Sequence, residues 1–191
     1  AISKGFFQIN AESLEEIQRI IQIARTLGKK ASIGLRINPN IKPDTHPYIT
    51  TGFRENKFGI SEYQISEALR LISQNNDCIE LQGLSAHIGS QIRDVKPLKE
   101  TIHALLSMAR NLKQQGYNLK TLDFGGGIGI DYNSENETSE YEMMKSFTDE
   151  LRLCRKDFTG QFLLEPGRTL IARSGVLCAQ VEYVKYNGYK K

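Results

Sequence analysis

Four short stretches hold the residue types that could do chemistry: "RINP" (36–39), "HIGSQ" (87–91), "GGGIG" (125–129) and "EPGR" (165–168). They bring Arg36, His87, Ser90, a glycine cluster, Glu165 and Arg168 to the ends of apolar runs that read as strands. The glycines pose the sharpest question, because glycine loses more conformational freedom on folding than any other residue. A dinucleotide fingerprint fails, since Ile130 and Tyr132 stand where its last glycine would fall. A Walker loop fails too, for no Gly-Lys-Ser/Thr follows. Two readings remain. One is a tight turn with a bulge. The other is a loop whose backbone N–H groups face an anion, since no Cβ blocks approach at Gly125, Gly126 or Gly127. The charged neighbours favour the second, a phosphate cradle.

Glu165 leaves an apolar strand, so its charge needs a cation or hydrogen-bond donors. Pro166 and Gly167 turn the chain, and Arg168 then aims its fork of donors back at the same opening. A carboxylate beside an anion loop suggests a ligand with an anionic end and a protonatable nitrogen. The plainer alternative is an internal Glu165–Arg168 pair that serves only the turn. His87, followed by Gly89, could lay its ring against a planar ligand. His103 falls off the apolar stripe of its helix, and His46 sits in a long loop. A metal role for His87 would need His or carboxylate partners at recognisable spacing, and the sequence offers none.

The elements that must position these residues alternate in period. "GFFQI" (5–9), "ASIGLRIN" (31–38), "IELQGLSAHI" (79–88), "LKTLDF" (119–124) and "GQFLLE" (160–165) read as strands. Between them lie amphipathic helices. The first buries Leu14, Ile17, Ile20, Ile21 and Ala24, opens on a Ser13–Glu16 capping box and stops at Gly28. Ser61 with Gln64 and Ser139 with Glu142 open two more, and a helix over roughly 95–115 ends at Gly116. "GVLCAQVEYVKY" (175–186) reads as extended. Repeated βα units mean a parallel sheet, in either a doubly wound fold or a (β/α)8 barrel, with ligands at the carboxyl ends of the strands. A full barrel takes about 250 residues, so five strands would supply only its later part. The absence of an initiator Met agrees with a fragment.

Composition bounds the class. The 191 residues are 39% apolar and 25% charged, with a net charge of +3 whose carriers are scattered rather than striped. That speaks against nucleic acid as a partner. No apolar run approaches the roughly 20 residues that cross a bilayer, so no membrane is expected. The start "AISKGFFQIN" lacks a signal-type segment, and Cys78, Cys154 and Cys178 are odd in number and far apart, as suits a reducing cytoplasm.

With these residues in place, "RINPNIKPDTHPYITTGFRENKFGI", "GLSAHIGSQI", "LDFGGGIGIDY" and "LLEPGRTLIARSGVL" resemble the diaminopimelate decarboxylase family. That family lies within the larger group with alanine-racemase-like barrels that includes ornithine and arginine decarboxylases. The likeness runs from about residue 5 to the end of the chain; "HIGSQ", "GGG" and "EPGR" mark the wider group, while "THPYITTG" with "ENKFGI" marks the diaminopimelate branch. The resemblance implies the later part of a (β/α)8 TIM barrel of PLP fold type III. It implies pyridoxal 5'-phosphate (PLP) as cofactor and the conversion of meso-diaminopimelate to L-lysine and CO2. It further implies that Glu165 pairs with the pyridine nitrogen and His87 stacks on one ring face. Gly125, Gly126, Gly127, Pro166 and Gly167 would face the phosphate with Ser90 nearby, and Arg168 would reach the substrate carboxylate beside them. Lys57 matches a position associated with a homodimer contact, and Arg36 would support His87 or Glu165.

The chain also departs from the family. It shows no candidate for the Schiff-base lysine, which relatives carry in an "xKAN"-like segment well before residue 1. The C-terminal β domain is absent as well, so residues 1–174 are expected to form a partial barrel and 175–191 the start of the connection onward. Ser85 stands where many relatives have His, and Ala86 where they have Cys or His. Rival readings keep the barrel but change the substrate to ornithine, arginine or carboxynorspermidine, make the protein a non-catalytic PLP binder, or bind a phosphosugar. The "THPYITTG" loop, the run at 175–186 and Glu165 speak against these in turn.

Overall fold

The structure, a computed structural model, describes residues 1–41, 58–132 and 138–188. Five strands, β1 (Ile9–Ala11), β2 (Ala31–Arg36), β3 (Ile79–Ser85), β4 (Thr121–Asp123) and β5 (Gln161–Leu163), pair in parallel in the order β1-β2-β3-β4-β5. Sequential order separates the two folds that the sequence leaves open. A doubly wound sheet reverses direction at a switch point, whereas a barrel steps one strand at a time around its axis. Here every step is in one direction, as in a (β/α)8 barrel.

Helices α1 (Leu14–Leu27), α2 (Ile65–Gln74), α3 (Val95–Gln114), α4 (Thr138–Cys154) and the short α5 (Gly167–Ile171) follow the strands. The first is held as expected: Glu16 N–H donates to Ser13 Oγ at 3.1 Å, Glu12 N–H to Glu16 Oε2 at 2.7 Å, and Gly28 closes it at φ 59°. Its buried stripe is Ile17, Ile20, Ile21 and Ala24, with Leu14 packed at the margin. Ser61 and Gln64 instead bond side chain to side chain at 2.7 Å on a 3-10 turn that precedes α2. Gly116, at φ 91°, follows α3.

The two faces of the sheet differ. Ile33, Leu35, Ile79, Leu84 and Leu122 join the helices in one apolar core. The other face is polar and small. Thr121 Oγ donates to Gln8 Oε1 at 2.5 Å, Gln8 Nε2 to Asn10 Oδ1 at 2.6 Å, and Ser32 Oγ to Glu80 Oε1 at 2.8 Å. A Cβ at Gly34 or Gly83 would run into Gln8, Asn10 or Thr121, so these two strand glycines make room for the polar layer.

Two sequence readings need correction. The first strand is Ile9–Ala11, later than "GFFQI", and Phe6 and Phe7 are 64% and 56% exposed. Gly5 in the left-handed region at φ 66° closes a 3-10 turn there, which keeps the chain from pairing earlier. The run 175–186 forms no strand. Val176 and Leu177 are over nine-tenths exposed, and among the described residues no strand pairs with them.

Candidate active site

The upper ends of β2 to β5 converge as the sequence predicts, and main-chain bonds lock them together. Ala86 N–H donates to Asp123 C=O at 2.9 Å, Phe124 N–H to Leu163 C=O at 3.0 Å, Glu165 N–H to Gly125 C=O at 2.7 Å and Ile92 N–H to Gly127 C=O at 2.9 Å. Gln91, at φ 59°, extends the seam with its side-chain amide, donating to Ile130 C=O at 2.6 Å and accepting Ile130 N–H at 3.0 Å. Beyond it Arg93 pairs with Asp131 at 2.8 Å, and Glu140 accepts from Asp131 N–H and Arg173.

This seam accounts for the glycines. A Cβ on Gly125 would meet Ala86 C=O and His87 Nδ1; on Gly126, the Glu165 carbonyl; on Gly127, the Gly89 carbonyl. Gly125 and Gly127 also hold φ 65° and 100°, where other residues are strained. The cluster therefore lets three strand ends approach one another. Gly125 N–H is taken by Asp123 Oδ1 at 2.9 Å, Gly126 N–H by His87 Nδ1 at 3.1 Å and Gly167 N–H by Glu165 C=O at 2.9 Å. Among the described residues no acceptor takes Gly127 N–H.

Behind the loop lies a cavity of about 180 Å³ lined by Arg36, Ser85, His87, Asp123, Gly125 and Glu165, among others. His87 is held by Gly126 N–H on Nδ1, which places the proton of the neutral ring on Nε2. Burial and then the Arg36 charge push its pKa below the ordinary value, with Asp123 opposing. Glu165 is exposed as a residue, yet its carboxyl end points into the wall of acids. Burial of that end, then the charge of Asp123 and a hydrogen bond to it, raise its pKa, against the pull of Arg36. Arg36 itself pairs with Glu12 at 2.5 Å, beneath Phe58. It thus reaches His87 and Glu165 through its charge.

Ser90 and Arg168 lie on the far side of Gly127. Arg168 donates to Tyr132 Oη at 2.8 Å and to Ser90 Oγ at 3.4 Å, so the internal Glu165–Arg168 pair does not form. Pro166 turns the chain into α5. Lys57 and His46 lie outside the described residues. Sequence reasoning missed Asp123, Ser85 as a cavity residue, Tyr132 and Gln91. The signal for Asp123 was its register: Thr121 and Asp123 share a strand face, and Asp123 leads directly into the glycines. Among the described residues His103, Glu150 and Cys154 also come together, but His103 Nε2 and Lys99 Nζ already take Glu150 oxygens at 3.1 and 3.3 Å.

Comparison with known proteins gives the architecture its family. Residues 1–172 match the pyridoxal-dependent decarboxylase, pyridoxal binding domain. Diaminopimelate decarboxylase of Aquifex aeolicus is 35% identical over 190 residues, and that of Neisseria meningitidis serogroup A is 39% identical over 193. Both alignments take in 100% of this chain, which spans only 44% and 46% of those relatives' lengths. The crystal structure of diaminopimelate decarboxylase from Helicobacter pylori complexed with L-lysine superposes with a TM-score of 0.79 at 37% identity, covering 91% of this chain and 43% of that one. The Paramecium bursaria Chlorella virus arginine decarboxylase bound to agmatine follows at 26% identity and a TM-score of 0.67. The chain belongs to the pyridoxal-binding domain family of the pyridoxal-dependent decarboxylases.

Proposed function

We propose that these residues form the cofactor-binding part of a diaminopimelate decarboxylase, which converts meso-2,6-diaminopimelate to L-lysine and CO2 in the last step of lysine synthesis by that route. The observation that carries this reading is the convergence of Arg36, His87 and Glu165 from three strand ends on one cavity beside the glycine loop. The residues present fit PLP. Ser85 Oγ is buried without a hydrogen-bond partner and borders the cavity, as a polar ligand atom would relieve. Gly127 N–H, Ser90 and Arg168 offer donors for a phosphate on the other side of the loop.

Bound PLP supplies a sink for the electron pair left when a carboxylate departs as CO2. Glu165 would hold the proton at the ring nitrogen, keeping that sink strong. His87, neutral and fixed by Gly126 N–H, would cover one ring face and exclude water there. Arg168 would turn to the substrate carboxylate beside the phosphate donors. The Schiff-base lysine and a C-terminal β domain would come from sequence beyond these residues, with 1–174 as barrel and 175–191 leading onward. The coverage of the relatives supports this, as does the exposed apolar run Val176, Leu177, Val181 and Tyr183. A homodimer in the cytoplasm completes the reading. The three free thiols suit that compartment, and among the described residues no helix is long and apolar enough to cross a membrane. The test is CO2 release from meso-diaminopimelate by the full-length protein. Turnover of ornithine or arginine with none of diaminopimelate would overturn the substrate.

A further inference from the structure

Asp123 is the buried carboxyl that the roles above leave unused. It closes β4 at 5% exposure, in register with Ser85 of β3 and Leu163 of β5. It lines the same cavity as Arg36, His87 and Glu165. Its Oδ1 accepts Gly125 N–H at 2.9 Å, while Gly125 C=O accepts Glu165 N–H at 2.7 Å. Asp123 and the Glu165 backbone thus grip one glycine from its two ends, which fixes the approach of the two acids. Their carboxyls are close enough for the Asp123 charge to bear on Glu165. Two neighbouring carboxyls resist ionising together, in keeping with the raised pKa of Glu165, to which burial contributes most. The other charged or titratable groups on the cavity are Arg36, its partner Glu12, and His87.

We propose that Asp123 is a positioning residue for Glu165: gripping Gly125 opposite the Glu165 backbone, it fixes where the Glu165 carboxyl enters the cavity and sets a second acidic group behind the ring nitrogen of bound PLP. This rests on the reading of the cavity as a PLP site. The buried Asp123, tied to the glycine loop, supplies the anchor.

The experiment follows the Glu165 side-chain carbonyl by 13C NMR in the full-length protein, labelled at glutamate, with Glu165→Gln to assign the signal. Asp123→Asn keeps the shape, removes the charge and offers an amide donor to Glu165. The Glu165 titration midpoint is expected to fall by about one pH unit or more, the scale of a charge removed within hydrogen-bond reach. PLP affinity, read by absorbance, is expected to weaken about tenfold with it. Asp123→Glu, which restores a carboxyl, should recover part of both. If Asp123→Asn does not fold, Asp123→Ser retains an oxygen for Gly125 N–H and gives the same readout. A Glu165 midpoint unmoved in the folded variant would overturn the role of Asp123. Failure of the unsubstituted protein to bind PLP would overturn the functional reading instead, a separate result.

Discussion

Replacing Gly126 by alanine would press a methyl group against the backbone that carries Glu165. The new Cβ would run into the Glu165 carbonyl oxygen and stand 2.9 Å from its carbon. Both atoms belong to a strand end and cannot swing aside as a side chain would. Residues 165–167 must therefore move outward, stretching Glu165 N–H···O=C Gly125 from 2.7 Å. Overpacking of this kind costs about 1–3 kcal/mol. Losing the backbone bond adds about 1 kcal/mol, so the sum is about 2–4 kcal/mol. The shift is about 2–4 °C per kcal/mol for chains of 150–250 residues and smaller for longer ones, so the melting temperature of the full-length protein should fall by several °C. Gly167→Ala is the control, since nothing lies within 4 Å of its Cβ and no left-handed φ opposes it. Alanine there restricts the unfolded chain, so a change of under about 1 kcal/mol, upward if anything, is expected. Thermal unfolding of the full-length protein without added cofactor reads both. A Gly126→Ala melt within about 2 °C of the parent, or an equal fall in Gly167→Ala, would refute the packing argument.

Glu165→Gln should leave PLP bound while lowering decarboxylation by about 10²-fold or more, the scale of a dominant electrostatic partner; unchanged turnover would remove Glu165 from the chemistry. Stability should also respond to pH through this residue and His87, with opposite signs. The folded Glu165 holds its proton above the ordinary 4.5, so stability declines as pH rises from there through its folded midpoint. The folded His87 resists protonation below the ordinary 6.5, so stability declines as pH falls from there toward its folded midpoint. Urea midpoints across that range should lose the first slope in Glu165→Gln and the second in His87→Gln, and identical slopes in all three proteins would refute the assignment. Finally, the 191-residue chain by itself has β1 and β5 as unpaired edges and exposes Leu164, Leu170, Ile171, Val176 and Leu177. It should aggregate or stay loosely folded, bind PLP weakly and lack decarboxylase activity. A monodisperse species by size exclusion, with a cooperative melt and a PLP band after dialysis, would show otherwise.

What the sequence displays and what it hides follow from the range of the interactions. Helix α1 was legible because its signals are local: a capping box three residues apart, an apolar stripe of period 3.6, and Gly28 as a stop. The strand ends of the site were legible because α/β folds place ligands there. Strand boundaries were not, since pairing depends on neighbours distant in sequence; "GFFQI" has the right composition but the turn closed by Gly5 precedes the paired segment. The choice between barrel and doubly wound sheet needed strand order, which no local pattern encodes. Asp123 escaped notice because an acid inside "TLDF" looks like strand chemistry until β4 is set beside β5 and Glu165. Gln91 escaped for the same reason, as its partner Ile130 lies 39 residues away.

The glycine loop carries the orientation of the site as well as its shape. His87 has its Nδ1 fixed by Gly126 N–H, Asp123 is held by Gly125 N–H, and Glu165 hangs from Gly125 C=O. Three side chains that would act on one ligand therefore take their positions from two consecutive peptide groups. A side chain on either glycine would part the strand ends and turn His87 and Glu165 away from each other. An anion cradle alone would tolerate one substitution in four better than this, because Gly127 N–H would still face the ligand. The packing role of the cluster and the binding role proposed for it thus meet in the same atoms. The rigidity needed to hold a ring between an acid and an imidazole comes from the upper edge of the sheet, where main-chain bonds, rather than side-chain rotamers, set the geometry.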